Sequence, residues 1–181
     1  MDTSRTSNTH ANHDTYQPHT ASMGTGSRER SMTELTKVAT IADFMELGKP
    51  QIHQIYAYKL EAGLYEDGPD ERYDVDNIEV HVDLQHRMVE AERLLLLRFA
   101  FEFKCYHWSG RVDYVIEYKL DQLLDIAHDV IAEFATRSAV MCVHPYVRSA
   151  VADLTSKLPI PAVHLPLIRP GELNFTSHTK E

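Results

Sequence analysis

The stretch that decides the fold is RLLLLRFAFEFKCYHWSGRVDYVIEYKL, residues 93–120. Its first half alternates, and one parity is entirely apolar: Leu95, Leu97, Phe99, Phe101 and Phe103. Its second half alternates too, with Val112, Tyr114, Ile116, Tyr118 and Leu120 on one parity. This period of two predicts adjacent strands with one buried face. The dipeptide Ser109-Gly110 is a turn signal between them, so the two strands should be antiparallel.

Two further strands are predicted upstream of this pair. Residues 78–85 alternate apolar and polar side chains, which is typical of a half-exposed strand. Residues 51–60 place Ile52, Tyr56, Tyr58 and Leu60 on one parity. Short connections join the last three strands, so an antiparallel meander is favoured.

Helical periodicity flanks the strands. Residues 32–47 repeat apolar side chains at spacings of three and four and predict a helix capped by Thr33 and ended by Gly48. Residues 121–158 show a second apolar stripe, and Asp121 is its expected cap. Pro145 should divide it into helices near 121–142 and 145–157. The predicted class is therefore α+β, a four-stranded antiparallel sheet with helices on one face.

The two ends of the chain differ from the middle in composition. Residues 1–31 are rich in Ser, Thr, Asn and His, and predict a disordered polar tail. Residues 158–170 contain four prolines, which indicates an extended arm rather than a helix or a central strand. We expect a folded domain over residues 32–175 and a short tail over residues 176–181.

Charge and composition exclude several classes of protein. The chain has 181 residues, with 27 acidic and 18 basic side chains and a net charge of −9, which disfavours nucleic-acid binding. No apolar run approaches the roughly 18–20 residues of a membrane span, so no membrane insertion is expected. The two cysteines, Cys105 and Cys142, form neither a disulfide framework nor a zinc pattern. Reduced thiols in the cytoplasm are the expectation.

Signals for catalysis or metal binding are weak. His81 and Asp83 share a strand face, but His86 falls on the opposite parity, so a solvated strand surface is favoured over a metal site. Cys105 and His107 lack a third group to orient the base. We expect no metal, no cofactor and no enzymatic activity. The alternative is a small α+β enzyme or ligand-binding domain that uses His81, Asp83 or Cys105 in a closed pocket.

The most unusual local feature is acidic. Residues 61–83 contain nine acidic side chains against Arg72 alone, and Gly63, Gly68 and Pro69 indicate a loop between the first two strands. This loop is either a solubilising surface or a rim that attracts basic segments. Its apolar residues Leu64, Tyr65 and Tyr73 either fold onto the body or contact a partner.

Several motifs in order resemble the SecB export chaperones. They are Gln51-Ile52-x-x-Ile55-Tyr56 opening the first strand, His144-Pro145-Tyr146-Val147-Arg148, Ala152-Asp153-Leu154, Pro161 and Leu165-Pro166. The resemblance covers about residues 50–173. With its long polar N-terminal extension, the chain is more similar to the mycobacterial SecB-like chaperones associated with toxin–antitoxin systems than to a typical proteobacterial member.

This resemblance implies an ATP-independent holdase chaperone, a homotetramer built as a dimer of dimers. Its clients would be unfolded chains held in hydrophobic grooves: an antitoxin of a toxin–antitoxin pair first, and export precursors second. Three departures argue against docking to the SecA motor. Lys59 stands where typical members have an acidic residue, and Leu158-Pro159-Ile160 replaces the glycine and phenylalanine that usually precede the arm's first proline. The chain also ends at Glu181 without the family's last helix and acidic tail.

Client contact is expected where apolar side chains are exposed intermittently, and tyrosine suits such a groove because its hydroxyl tolerates water. The candidates are Leu64, Tyr65 and Tyr73 in the loop, Tyr56 and Tyr58 in the first strand, and Leu165, Leu167 and Ile168 in the arm. Packing into the core is the competing interpretation for each of them.

Overall fold

A computed structural model describes residues 35–66, 78–169 and 176–177 of the chain. The main sheet contains β2 (Gln51–Leu64), β3 (Glu79–Val89), β4 (Leu94–Lys104) and β5 (Trp108–Lys119). Its order is β2-β5-β4-β3, with every neighbouring pair antiparallel, so the predicted four-stranded sheet and meander are confirmed. A two-residue strand, β7 (Thr176–Ser177), pairs in parallel with β3 at Asp83 and Leu84.

Helices cover one face of this sheet, as predicted. On that face the apolar side chains of β4 are 0–2% exposed, and their partners Val112, Ile116 and Tyr118 on β5 are buried with them. Aromatic edges join the sheet to the helical layer: the rings of Tyr118 and Phe134 are 5.0 Å apart, and Phe134 lies 5.0 Å from Phe44. Burial of these large side chains supplies most of the driving force for the fold.

The turn between β4 and β5 lies earlier than predicted. It is formed by Tyr106 and His107, and the Cys105 N–H donates to the Trp108 carbonyl across it, at 3.0 Å. Gly110 lies inside β5 and has a steric role. A Cβ there would come within 2.9 Å of the Trp108 ring and 3.0 Å of the Glu61 carbonyl.

The predicted helix over residues 32–47 is wrong in its first part. Thr36–Val38 is a strand, β1, which pairs in parallel with β6 (Leu124–Ile126). The helical turns begin with α1 (Ile41–Asp43), continue as a π-helical turn over Phe44–Gly48 and are capped by Thr40, whose Oγ1 accepts from the Asp43 N–H. The stop at Gly48 is confirmed. Pairing with a distant segment overrides the local helical pattern here.

The second helical region also differs from the prediction. Because Leu124–Ile126 is a strand, Asp121 caps no helix, and α2 starts later, at His128–Phe134. A π-helical turn over Ala135–Ala139 joins α2 to α3 (Val140–Ser156), and Pro145 lies inside α3. Proline removes one backbone hydrogen bond. Val143, Val147 and Val151, which are 0–1% exposed, keep the helix against the sheet despite that loss.

The arm after α3 is extended, as its prolines predicted. It runs back along α3, where Thr155 Oγ1 accepts from the Val163 N–H at 2.9 Å and Arg148 Nε donates to the Leu165 carbonyl at 2.8 Å. These two bonds fix the arm on the helical side. No helix within the described ranges combines the length and apolar composition needed to cross a membrane.

Candidate functional site

Two irregularities in β2 decide which way its tyrosines point. The pairing of β2 with β5 shifts between Ile52 and Gln54 and again between Ala57 and Lys59. Each bulge adds a residue and reverses the alternation of faces. The prediction that Ile52, Tyr56, Tyr58 and Leu60 share a face is therefore wrong.

Tyr56 pairs with Val115 on the outer face of the sheet, the face opposite the helices. Tyr58 occupies the second bulge, and its ring lies over the Arg98 guanidinium on the same outer face, 4.1 Å from ring centroid to Cζ. Ile52 and Leu60 instead oppose Tyr118 and Val112, on the helical side. The two bulges thus bring both tyrosines to the outer face.

These tyrosines form one wall of an open groove of about 520 Å³, which we call the outer-face groove. Leu96 and Val115 form its apolar floor, and Arg87 and Arg98 form an arginine wall that meets the aromatic one where the Tyr58 ring stacks on Arg98. Tyr58 is 62% exposed. The combination of apolar floor, aromatic wall and open side suits an extended chain better than a compact small molecule.

The wall of the groove is held by a buried carboxylate. Asp113 is 0% exposed and accepts hydrogen bonds from Arg98, through Nε at 3.2 Å and Nη2, and from Arg111 Nε at 2.8 Å. Arg111 also reaches Glu102 Oε1 at 2.7 Å. The hydrogen bond to Asp113 raises the pKa of Arg111 further. Arg98 is therefore fixed from two sides, by Asp113 and by the Tyr58 ring.

The hydroxyl of Tyr56 is also engaged. It donates to Glu117 Oε1 at 3.2 Å. Partial burial, together with the Glu117 carboxylate, raises the pKa of Tyr56 above its usual value of 10.0. The ring therefore stays neutral at physiological pH and offers an apolar surface to the groove.

Two loop candidates lie elsewhere, at the far end of β2. Leu64 is the last residue of β2, opposes Trp108 and is 43% exposed. Tyr65 follows it, half-buried, and its N–H donates to the His107 carbonyl at 3.4 Å. The strand thus continues four residues beyond its predicted end. Tyr73 lies outside the described residues.

The arm candidates are separate again. Leu165 is 6% exposed and packs into the hydrophobic core, so the isolated chain uses it for stability. Ile168 is half-buried against the same core, whereas Leu167 is 78% exposed. None of the three lines the outer-face groove.

The residues of the alternative hypothesis do not converge. His81 Nε2 lies 3.3 Å from Asp83 Oδ1 on the outer face of β3. Cys105 is 7% exposed and belongs to the hydrophobic core on the other side of the sheet. Within the described part of the chain, no group of three or more His, Cys, Asp or Glu side chains is placed to hold a metal ion.

The sequence pattern alone predicts neither the arginine wall nor the floor of the groove. A signal was present, because the second parity of β4 begins with Leu94 and Leu96 and turns polar at Arg98. Such a mixed face marks a surface that is neither core nor fully solvated. Finding the groove also required the register of β2, which the bulges displace.

Comparison with solved structures finds a similar fold in a SecB-like chaperone. The SecB-like chaperone Rv1957 of Mycobacterium tuberculosis, solved in complex with a ChAD peptide from the HigA1 antitoxin Rv1956, superposes with a TM-score of 0.56. The match covers 70% of this chain and 99% of that chain, at 15% identity. The chain has a SecB-like fold.

A weaker likeness is to a Streptococcus agalactiae protein of unknown function, with a TM-score of 0.35 and 13% identity, over 65% of this chain and 98% of that one. No protein-family model and no curated protein matches the sequence.

Proposed function

We propose that this protein is an ATP-independent holdase chaperone that keeps unfolded chains soluble by binding them along the outer-face groove. The observation that carries the proposal is the groove itself: apolar and aromatic side chains left uncovered on a sheet of SecB-like fold. Each large client side chain that leaves water there contributes roughly 1.5–3 kcal/mol. Such binding is non-directional and accepts many sequences.

Exposed apolar residues away from the groove offer separate points of contact. Leu64 and Tyr65 at the end of β2 and Leu167 on the arm are proposed as further contact points, and Tyr73 remains a candidate from the acidic loop. Leu165 and Ile168 would join them only if the arm moved away from α3. Several weak contacts along one client combine through a high effective concentration.

The proposed assembly is a homotetramer, a dimer of dimers, located in the cytoplasm. The free edge of β2 supports it. All fourteen residues of β2 lie at the edge of the sheet, and on the side away from β5 no strand within the described ranges pairs with them. Exposed edges of this length promote pairing with another chain. The mass of the native particle, about four times 20.7 kDa, is the direct test.

An antitoxin is the proposed physiological client. The SecB-like neighbour was solved with an antitoxin peptide, which supports a client of the same kind here. Lys59 forms an ion pair with Glu61 at 2.7 Å, and this positive side chain stands where SecA docking requires an acidic one in the implied family pattern. We therefore propose antitoxin protection ahead of export.

The test of the proposed function is suppression of aggregation. Guanidinium-denatured citrate synthase is diluted into buffer with the full-length protein, and light scattering is followed. The double variant Tyr56→Ala, Tyr58→Ala should weaken suppression about tenfold or more, the scale of one large buried side chain. The matched control is Tyr146→Ala, another exposed tyrosine (48%) that lies on α3. Equal suppression by all three proteins would overturn the assignment of the groove.

Co-expression supplies the second measurement. An aggregation-prone antitoxin expressed alone and beside this protein is scored for its soluble fraction. Increased solubility with the wild type, lost with the groove double variant, supports antitoxin protection. Unchanged solubility, in the presence of suppression in the scattering assay, would leave a general holdase and remove the antitoxin role.

A further inference from the structure

The outer-face groove has a polar wall that a purely apolar client does not use. Arg87 on β3 and Arg98 on β4 are diagonal neighbours. Arg98 pairs with Gln85, which lies two residues before Arg87, and Arg87 itself pairs with Leu96. Diagonal neighbours of this kind are within reach of each other's long side chains. Two guanidinium groups therefore border one short stretch of groove.

The two arginines differ in how they are engaged. Arg98 gives Nε and Nη2 to Asp113 and stacks on Tyr58, and no hydrogen bond to another described residue occupies its Nη1. Arg87 is exposed, and none of the ion pairs among the described residues includes it. A guanidinium that is already fixed, like that of Arg98, binds an incoming carboxylate at a low cost in entropy. One without a competing carboxylate, like that of Arg87, has no ion pair to break first.

The side chains that line the groove carry no carboxylate. Two acidic groups beside the groove already have partners: Asp113 lies buried beneath Arg98, and Glu117, which opposes Leu96, accepts from the Tyr56 hydroxyl. An acidic side chain placed between the two arginines would consequently meet donors, with the apolar floor of Leu96 and Val115 beside it.

We infer that the outer-face groove selects client segments in which an aromatic or aliphatic side chain is followed closely by Asp or Glu. The apolar side chain packs on the floor and against Tyr56 and Tyr58, and the carboxylate bridges Arg87 and Arg98. This inference rests on the proposed holdase function and names the chemistry of its client. This preference is opposite to the one that the acidic segment 61–83 would have if it attracts basic stretches rather than only solubilising the protein.

The experiment compares labelled extended peptides that differ at one position. All contain the same apolar residues, including a Phe, and carry Glu, Gln or Lys two residues after it. Binding to the full-length protein is measured by fluorescence anisotropy at low and at physiological salt. We expect the Glu peptide to bind about threefold more tightly than the Gln peptide, the scale of an exposed charge pair, with the Lys peptide weakest. The advantage should shrink as salt is added.

Arg87→Gln is the decisive variant, because Arg87 is exposed and Arg98 is tied to the buried Asp113. It should abolish the difference in affinity between the Glu and Gln peptides. Lys104→Gln, an exposed cation at the end of β4, is the control and should preserve the difference.

The outcomes separate the two claims. Equal affinity for Glu and Gln peptides, or a preference that persists in Arg87→Gln, overturns the acidic selectivity and leaves the holdase standing. Failure of every peptide to bind, together with failure to suppress aggregation, overturns the holdase as well.

Discussion

Phe99 and Asp113 are both fully removed from water, on opposite faces of one sheet. Phe99 lies on the face that α2 and α3 cover, so its burial depends on segments distant in the chain. Asp113 lies on the outer face, where Arg98 and Arg111 from its own and a neighbouring strand enclose it. The first face is closed by tertiary packing and the second by local side chains. The outer face can therefore rearrange around a ligand without unfolding the domain.

The largest expected effect is on the covered face. Phe99→Ala removes a ring from a site that is 0% exposed, so it should lower the free energy of unfolding by about 3–5 kcal/mol. Urea denaturation monitored by circular dichroism measures it. A loss below about 1 kcal/mol would mean that the helical layer is loosely packed, and the contrast between the faces would fail.

A smaller loss is expected from Asp113→Asn on the outer face. The amide keeps the shape but leaves Arg98 and Arg111 without their shared carboxylate, which should cost roughly 1–3 kcal/mol. The same denaturation experiment measures it. Glu61→Gln, which removes an exposed partner of Lys59, is the control and should change stability by less than about 0.5 kcal/mol. Equal effects of the two variants would show that the buried carboxylate organises nothing.

The end of β2 tests whether client contact extends past the groove. Leu64→Ser with Tyr65→Ser alters a residue that is 43% exposed and its half-buried neighbour, so melting should stay close to that of the wild type. Client affinity should weaken by roughly 1–3 kcal/mol per residue if both touch the client. Parallel melting and aggregation assays decide. A collapsed melting curve would assign both residues to the core, and normal melting with full holding would remove them from the site.

The smallest expected effect is a pH dependence of stability, which arises from histidines at the margin of the face that the helices cover. The rings of His86 on β3 and His128 on α2 are 5.0 Å apart, and burial, together with His128, lowers the pKa of His86 below 6.5. Burial and Arg148 lower that of His144 as well. The unfolded chain therefore takes up these protons first, so stability should be full above about pH 6.5 and decline as the pH falls below it.

Denaturation at pH 7.5 and at pH 5.5 measures this dependence, and His86→Gln should make it shallower. Stability that is unchanged or higher at the lower pH would contradict the assignment. In that case His86 would not be buried, and the sheet at β3 would be as exposed to solvent as the outer face.

Much of the fold was predictable because neighbouring residues in the strands alternate between apolar and polar side chains. In β4 and β5 one parity is apolar over most of the strand, and their pairing follows from the short connection between them. The arm was predictable from its prolines. The α+β class and the placement of the helices on one face of the sheet followed from the order of the elements.

The errors arise where distant residues decide. Thr36–Val38 has a helical pattern but pairs in parallel with Leu124–Ile126. Both segments are therefore strands, where the sequence predicted the first turns of two helices. Pro145 stays within α3 because buried valines on either side hold the helix. Neither fact can be obtained from a window of neighbouring residues.

The site was predicted only in part, for a related reason. Tyr56 and Tyr58 were candidates, but their face depends on two bulges that no composition signal announces. The arginine wall depends on Asp113, whose burial on an otherwise polar face arises only once β4 and β5 are in register.

The unpartnered length of β2 has a consequence during synthesis. Among the described residues β2 pairs with β5 alone, and β5 leaves the ribosome after β3 and β4. At roughly 5–20 residues per second, that interval is on the order of several seconds. Throughout it, β2 has both edges free and carries exposed Ile52, Tyr58 and Leu60, so the nascent chain has the properties of the clients proposed for the finished protein. A copy completed earlier could protect β2 until β5 arrives, and the yield of folded protein would then rise with the amount already present in the cell.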